Sequence, residues 1–362
     1  MEIYLPIVQV HIDVIFILFI SFAVGVLSGL FGVGGGFLMT PFLIFLGIPP
    51  IYAVPNEINN ILATSVSGSI THWFKNTLDY KMGLMIIIGG IIGTVVGIVT
   101  FTFFKETGKL SLIISLSYMY LLAIIGTLML IEGASEIDRA RKKIIFKKKL
   151  HTHYWIHGLP LKLRFQKSGL YESAFTPIIL GIIVGFVAAL IGVGGAFLMV
   201  PAMIYLIGMP IKLIPGTSLF VTVFISALVT VLHAFNYGSI DLVLVIILII
   251  GSIIGVQVGQ KIGQYLDSSH LKTLFAMLLC AVAVAIAYDT FFYDGVRQLE
   301  KSEIVNIENL NFFSKFISKL SENNPLLYGS FAIIIAITLG TFGAGVRRLL
   351  SRYKYLFLIK KN

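Results

Sequence analysis

Two short runs could hold a ligand with the backbone alone: Gly32-Val33-Gly34-Gly35-Gly36 and Gly192-Val193-Gly194-Gly195-Ala196. Glycine tolerates left-handed and extended geometry, so such a cluster lets a helix stop, turn and restart, with its amide groups uncovered by side chains. Short helices restarting at Phe37 and Phe197 would aim their positive ends at the break, which suits an anion. The expected substrate-binding glycines are therefore Gly32, Gly34, Gly35, Gly36, Gly192, Gly194 and Gly195. Close helix packing is the competing use of small residues in lipid. Two copies, each followed by an apolar triplet and a proline, favour a broken helix instead. Neither is a nucleotide loop, because no Gly-Lys-Ser/Thr follows.

Side chains that could join the glycines are few. Thr64, Ser65, Thr217 and Ser218 could donate hydrogen bonds to an oxyanion, or equally bond their own helix carbonyls. Glu57, beside Asn56, Asn59 and Asn60, is a candidate proton carrier or cation ligand, since an acid within a membrane span is functional by default. A Pro-Asn-Glu helix start is also ordinary terminus chemistry. His72 and His233 end equivalent helices, where the dipole favours a structural role. An intramembrane hydrolase could use Ser67 or Ser69 with His72, but a Ser-His pair on one helix points side by side and no third orienting group is apparent. No catalytic residue, cofactor or metal is expected. The connector histidines His151, His153 and His157 lack cysteines or nearby acids to complete a metal site.

The elements that carry these residues are membrane helices. The chain has 362 residues, 57% hydrophobic and 12% charged, about half the charged fraction of a soluble domain. Segments 82–104, 110–131, 213–235, 242–260, 271–288 and 326–346 are long and apolar enough to span, and 55–73 has helical length with a more polar content. Backbone groups in lipid must be satisfied within the segment, so these are helices. The net charge of +10 is concentrated in 132–173, with ten basic residues against four acids, and in the tail from Arg347 to Asn362, with six basic residues. Placed beside apolar spans, it sets orientation and meets anionic lipid headgroups, with no nucleic acid as partner. Cys280 is the only cysteine, so no intrachain disulfide forms. The start of the chain lacks the basic region of a cleavable signal peptide.

An internal repeat organises the spans. Residues 25–41, GVLSGLFGVGGGFLMTP, and 185–201, GFVAALIGVGGAFLMVP, are identical at ten of seventeen positions; Pro55, His72 and Asp79 then correspond to Pro215, His233 and Asp241. The expected units are a first repeat at 1–131, a basic cytoplasmic connector at 132–173, a second repeat at 174–293, an extracytoplasmic loop at 294–325, and a last helix with a basic cytoplasmic tail at 326–362. Within the connector, Leu161, Leu163 and Phe165 alternate with polar residues like a short strand. Residues 306–320 have an apolar face at helical spacing and would lie along the outer interface.

Charge parity bears on the breaks. With connector and tail both cytoplasmic, four clear spans lie between them, so 175–207 crosses twice or not at all. Its 33 residues are too few for two crossings. A re-entrant hairpin turning at the glycines fits, and 12–48 follows by repetition. Three spans per repeat invert one half relative to the other and place residue 1 outside, with no Lys or Arg before Lys75. The expected fold class is thus an all-α polytopic membrane protein, with about seven full spans and two re-entrant hairpins in an inverted repeat. That is the architecture of many secondary transporters.

These residues also resemble a known family. Two GVGGG-like motifs each followed by an apolar run and proline, His72-Trp73 before a polar turn with Asp79, and a helix with Gly89, Gly90, Gly93 and Gly97 are similar to the sulfite exporter TauE/SafE family of membrane permeases. Thr217-Ser218 after Pro215 matches its hydroxyl pair; the first half carries Asn56-Glu57 there. The resemblance implies a permease of the cell membrane whose substrate is a small anion, sulfite or an organosulfur anion. A passive anion channel is the alternative within transport, and a homo-oligomer is compatible with such a chain.

Overall fold

The structure is a computed structural model that describes residues 2–31, 38–141, 161–210, 212–263, 268–292 and 324–359. The first glycine run (Gly32, Gly34, Gly35, Gly36), the histidine cluster at 151–157 and the amphipathic stretch 306–320 lie outside the described residues. A hairpin of β1 (Glu2–Tyr4) and β2 (His11–Asp13) leads into α1 (Val14–Phe31). Then come α2 (Met39–Phe45), α3 (Pro50–Phe74), α4 (Tyr80–Glu106) and α5 (Leu110–Arg141). The second half repeats this order: a hairpin of β3 (Lys162–Phe165) and β4 (Leu170–Ser173), then α6 (Phe175–Ile191), α7 (Ala196–Ala202) continuing into a π-helical turn at Met203–Ile207, α8 (Ile214–Tyr237), α9 (Leu242–Gly263) and α10 (Ser268–Phe292). The extra helix is α11 (Pro325–Ile359).

Among the described residues, six helices have the length and apolar composition to cross a membrane: α4, α5, α8, α9, α10 and α11. The expected seventh, α3, has 25 residues but is too polar to qualify on composition. Its Asn56, Glu57, Asn59 and Asn60 are fully buried within the protein, so they do not contribute a lipid-facing surface. The outer faces of α4 and α5 show the opposite pattern. Ile88, Ile92, Val95, Val99, Ile124 and Leu128 are exposed, as suits helices whose solvent is hydrocarbon. The two small sheets depart from an all-α chain. β3 falls where the alternation predicts a strand; β1 and β2 are too short to leave a periodic signal.

The halves are interlocked. α1 packs along α9, and α4 packs along α6, so each first helix pairs with the third long helix of the other repeat. Glycine makes both pairings possible. A Cβ on Gly25 would stand 2.6 Å from the Ser252 carbonyl oxygen, and one on Gly93 would stand 2.7 Å from the Ile182 carbonyl carbon. Gly29 meets Val256 and Gly89 meets Ile178, so both pairs run parallel with backbones in direct contact. α5 pairs with α10, where Gly126 meets Cys280 and Gly133 meets Thr273, so these equivalent helices run antiparallel.

The central pair, α3 and α8, is also antiparallel. Near the start of α3, Asn56 Oδ1 accepts the Asp241 N–H (2.7 Å) just beyond the end of α8. Near the start of α8, Thr217 Oγ1 accepts the Asp79 N–H (3.0 Å) just beyond the end of α3. Each aspartate then caps the next helix: Asp79 Oδ1 accepts the Met82 N–H, and Asp241 Oδ1 accepts those of Val243 and Leu244. The remaining oxygens bind the turns of the β-hairpins. Asp241 Oδ2 takes the Ile7 N–H (2.9 Å), and Asp79 Oδ2 takes that of Ser168 (3.1 Å). Burial pushes the Asp241 carboxyl up from its ordinary range, opposed by the backbone donors from Ile7, Leu244, Val8 and Val243.

Candidate functional site

The second glycine run breaks its helix as the sequence predicts. α6 ends at Ile191, Gly192 turns left-handed (φ 85°) and its N–H closes back on Ala188. Gly194 (φ 70°) and Gly195 (φ 75°) are also left-handed, and α7 restarts at Ala196. Side chains other than glycine strain at such angles. After α7, the π-helical turn contacts α6 again.

The glycine break lies against α3. A Cβ on Gly194 would sit 2.5 Å from Ile61 Cγ2, and one on Gly192 would sit 3.1 Å from Val54. It also meets the first half's short arm, since the same Gly192 position lies 3.3 Å from Thr40 Oγ1. Thr40 is the second residue of α2, just beyond the first glycine run, so this contact brings the two broken segments together in the interior.

Buried polar groups surround the junction. Glu57 is fully buried, and both its carboxylate oxygens accept from Asn60 Nδ2 (3.2 and 3.1 Å). The same nitrogen reaches Ser252 Oγ on α9 (3.0 Å), which bonds Ser21 Oγ on α1 (2.9 Å). Ser21 in turn donates to the Leu248 carbonyl (2.5 Å). The hydroxyls of Tyr118 on α5 and Thr40 on α2 are close enough for a weak mutual hydrogen bond, and Tyr118 lies within electrostatic reach of Glu57. Beyond that Thr40–Tyr118 contact, several fully buried atoms have no hydrogen-bond partner of good geometry among the described residues: Thr40 Oγ1, Tyr118 Oη, Ser65 Oγ, Asn60 Oδ1 and both amide atoms of Asn59. Buried polar atoms are almost always satisfied, and several orphans near one junction mark a place built for a ligand or water.

The predicted hydroxyls divide. Ser65 lies one turn beyond Ile61 and keeps its hydroxyl uncommitted. Thr64 donates to its own helix at Asn60 and Ile61, Ser218 donates to Pro215, and Thr217 donates to Leu213 while accepting from Asp79. Those three have the backbone-bonding use that the sequence left open. Asn56, the first-half counterpart of Thr217, is likewise consumed, bonding Tyr52, Ser239 and Asp241. His72 Nδ1 is 2.8 Å from Thr77 Oγ1, and His233 Nε2 bonds the Ala189 carbonyl (3.0 Å). Both histidines thus have structural partners. Thr40 and Tyr118 are site residues that sequence reasoning missed. The only local signal for Thr40 was its place immediately before the proline of the repeat, where the second half has Val200.

Comparison with known proteins bears on this arrangement. The chain is 31% identical over 218 residues to "Probable membrane transporter protein YunE" of Bacillus subtilis, covering 56% of this chain and 71% of that protein. It is 28% identical over 231 residues to "Probable membrane transporter protein YjnA" of the same organism, covering 63% and 82%. "Probable membrane transporter protein MJ0441" of Methanocaldococcus jannaschii is 26% identical over 192 residues, covering 51% and 59%. No solved structure matches the chain. Residues 17–286, from α1 almost to the end of α10 and so across both broken segments, match the family described as Sulfite exporter TauE/SafE. This chain is therefore a multi-pass membrane transporter of the TauE/SafE sulfite exporter family.

Proposed function

We propose that the chain is a secondary permease for a small anion, with sulfite or an organosulfur anion as substrate, and that it works by alternating access. The observation that carries this is the junction of Thr40 with Gly192, where the two broken segments meet beside buried, uncommitted hydroxyls. Hydroxyl groups without partners in a dry interior are donors waiting for an acceptor, and an oxyanion offers several. Ser65, Thr40 and Tyr118 are the side-chain donors of the site. The glycines of both runs, Gly32, Gly34, Gly35 and Gly36 with Gly192, Gly194 and Gly195, let substrate approach the backbone.

The topology belongs to the same proposal. α3 is the seventh span, the two broken segments are re-entrant from opposite faces, and the halves are inverted. The antiparallel pairings of α3 with α8 and of α5 with α10 support this, since equivalent helices of inverted repeats must run in opposite directions. The basic connector and tail would then be cytoplasmic, and the N-terminus extracytoplasmic.

Radiolabelled sulfite exchange in proteoliposomes tests the site. Wild type shows saturable counterflow; Gly194→Leu, which drives a side chain into Ile61, abolishes it while the purified protein stays monodisperse. Unchanged flux in that variant, or flux that never saturates in wild type, overturns the proposal and favours a passive channel.

A further inference from the structure

Two narrow crevices enter the protein, each with room for about one water, and the second is walled in part by α3. One is lined by Pro41 and Phe45 of α2, Ser115 and Tyr118 of α5, and Asp289 of α10. The other is lined by Thr64, Ser67 and Gly68 of α3 with Gln257 and Gln260 of α9. Glu57 lines neither, but its partner Asn60 bonds Ser252, the neighbour of Ile253 in the wall of the second crevice. Tyr118 acts on Glu57 electrostatically from the first crevice, while Thr64 of the second lies two turns along the same helix, with Asn60 between. The two crevices share no lining residue.

Nothing cationic faces this carboxylate among the described residues. α2 and α6 carry no charged residue. The one histidine of α8, His233, is turned to the Ala189 carbonyl, and Lys261 of α9 is exposed at the far end of its helix. Arg348 of α11 stacks on Phe74 at the end of α3, and α5 brings Tyr118 as its titratable group. A bare carboxylate in a low-dielectric interior is expensive, so the group takes up a cation or a proton. The Asn60 amide nitrogen donates to both oxygens, and no group of three or more His, Cys, Asp or Glu able to hold a metal ion occurs among the described residues. A proton is the charge that needs no further ligand.

We propose that Glu57 carries a coupling proton, taken from water on one face through the Tyr118 crevice and released on the other through the Thr64–Gln260 crevice. This rests on the permease reading above. Two negative charges sharing one buried site repel strongly enough that one is held protonated. The substrate anion therefore binds beside the neutral carboxylic acid, and proton and anion cross together. Tyr118, in the wall of the first crevice, orders the water that delivers the proton.

The test uses full-length protein in liposomes loaded with a pH-sensitive dye, with sulfite as substrate. Wild type is expected to move protons with sulfite and to accumulate sulfite when a pH gradient is imposed. Glu57→Gln still exchanges labelled for unlabelled sulfite but loses gradient-driven accumulation by at least tenfold. Gln260→Leu, which removes a polar wall of the second crevice at a residue outside the substrate site, slows the proton-driven rate several-fold and exchange much less, so the proposal stays testable even where the Glu57 variant fails to fold. Coupling that survives in Glu57→Gln, equal slowing of both rates in Gln260→Leu, accumulation driven by sodium alone, or wild-type exchange without proton movement each overturn it. Absence of any exchange by wild type instead removes the sulfite-permease reading, and this proposal with it.

Discussion

Gly93→Ala should be among the most damaging single-methyl changes in this chain. The new Cβ would stand 2.7 Å from the Ile182 carbonyl carbon and closer still to its oxygen. Carbon atoms rest at about 3.5–4.0 Å, so α4 and α6 must separate by roughly 1 Å. The obstacle is backbone, so no rotamer change relieves it, and Gly89 and Gly181 on the same seam would lose their fit as well. Overpacking of this kind costs about 1–3 kcal/mol, offset by less than about 1 kcal/mol of gained helix propensity. Gly345 is the control. It lies in α11 with nothing within 4 Å of an added methyl, so Gly345→Ala should be neutral or stabilise by about 0.5–1 kcal/mol. Gly255→Ala, at the equivalent seam between α9 and α1, should behave like Gly93→Ala. Apparent melting of the detergent-solubilised protein, followed by size-exclusion chromatography, should place the two seam variants several degrees below wild type and Gly345→Ala at or above it. If all three melt together, the glycines do not hold the interlocked helices in contact and the seams are not what joins the halves.

Asp79→Ala removes the cap of α4 and frees the Ser168 amide, costing about 1–2 kcal/mol. Hydrogen exchange should quicken at 161–173 and stay unchanged at 2–13, with Asp241→Ala giving the reverse pattern. Because burial raises the Asp241 carboxyl in the folded protein, the native state holds its proton to higher pH than the unfolded chain. Stability from this group therefore falls as pH rises through the interval above the ordinary aspartate value, and Asp241→Asn should flatten that slope in a melting series from acid to neutral pH. Thr40→Val keeps the shape of α2 but removes an uncommitted hydroxyl from the junction. It should weaken sulfite exchange about fivefold to tenfold through the concentration dependence, the scale of one lost hydrogen bond; an unaltered concentration dependence would remove Thr40 from the site.

Much of the architecture was legible in the chain itself. Apolar runs of spanning length and left-handed glycine turns are local properties, so the long helices and the break at 192–195 follow from neighbouring residues alone. The repeat was legible for the same reason, and with it the correspondence of Asp79 with Asp241. Hydroxyl roles were not. A serine or threonine in a helix can bond its own carbonyls or a ligand, and the choice depends on what the rest of the fold places opposite. Only packing showed that Thr217 is spent on the Asp79 turn, while Ser65 is left uncommitted.

The tertiary structure alone decided which helices meet. Gly25, Gly93, Gly185 and Gly255 mark surfaces able to approach closely, but the pattern does not name a partner. The exchange of α1 onto α9 and of α4 onto α6 is set by which glycine surfaces fit without backbone collision, and those partners lie far apart in the chain. The same long-range fit brings Thr40 to Gly192 and Tyr118 toward Glu57. The sequence by itself determined that a helix breaks at 192–195 within a membrane protein; the meeting of that break with Thr40 at a buried polar junction depended on contacts that no local pattern encodes.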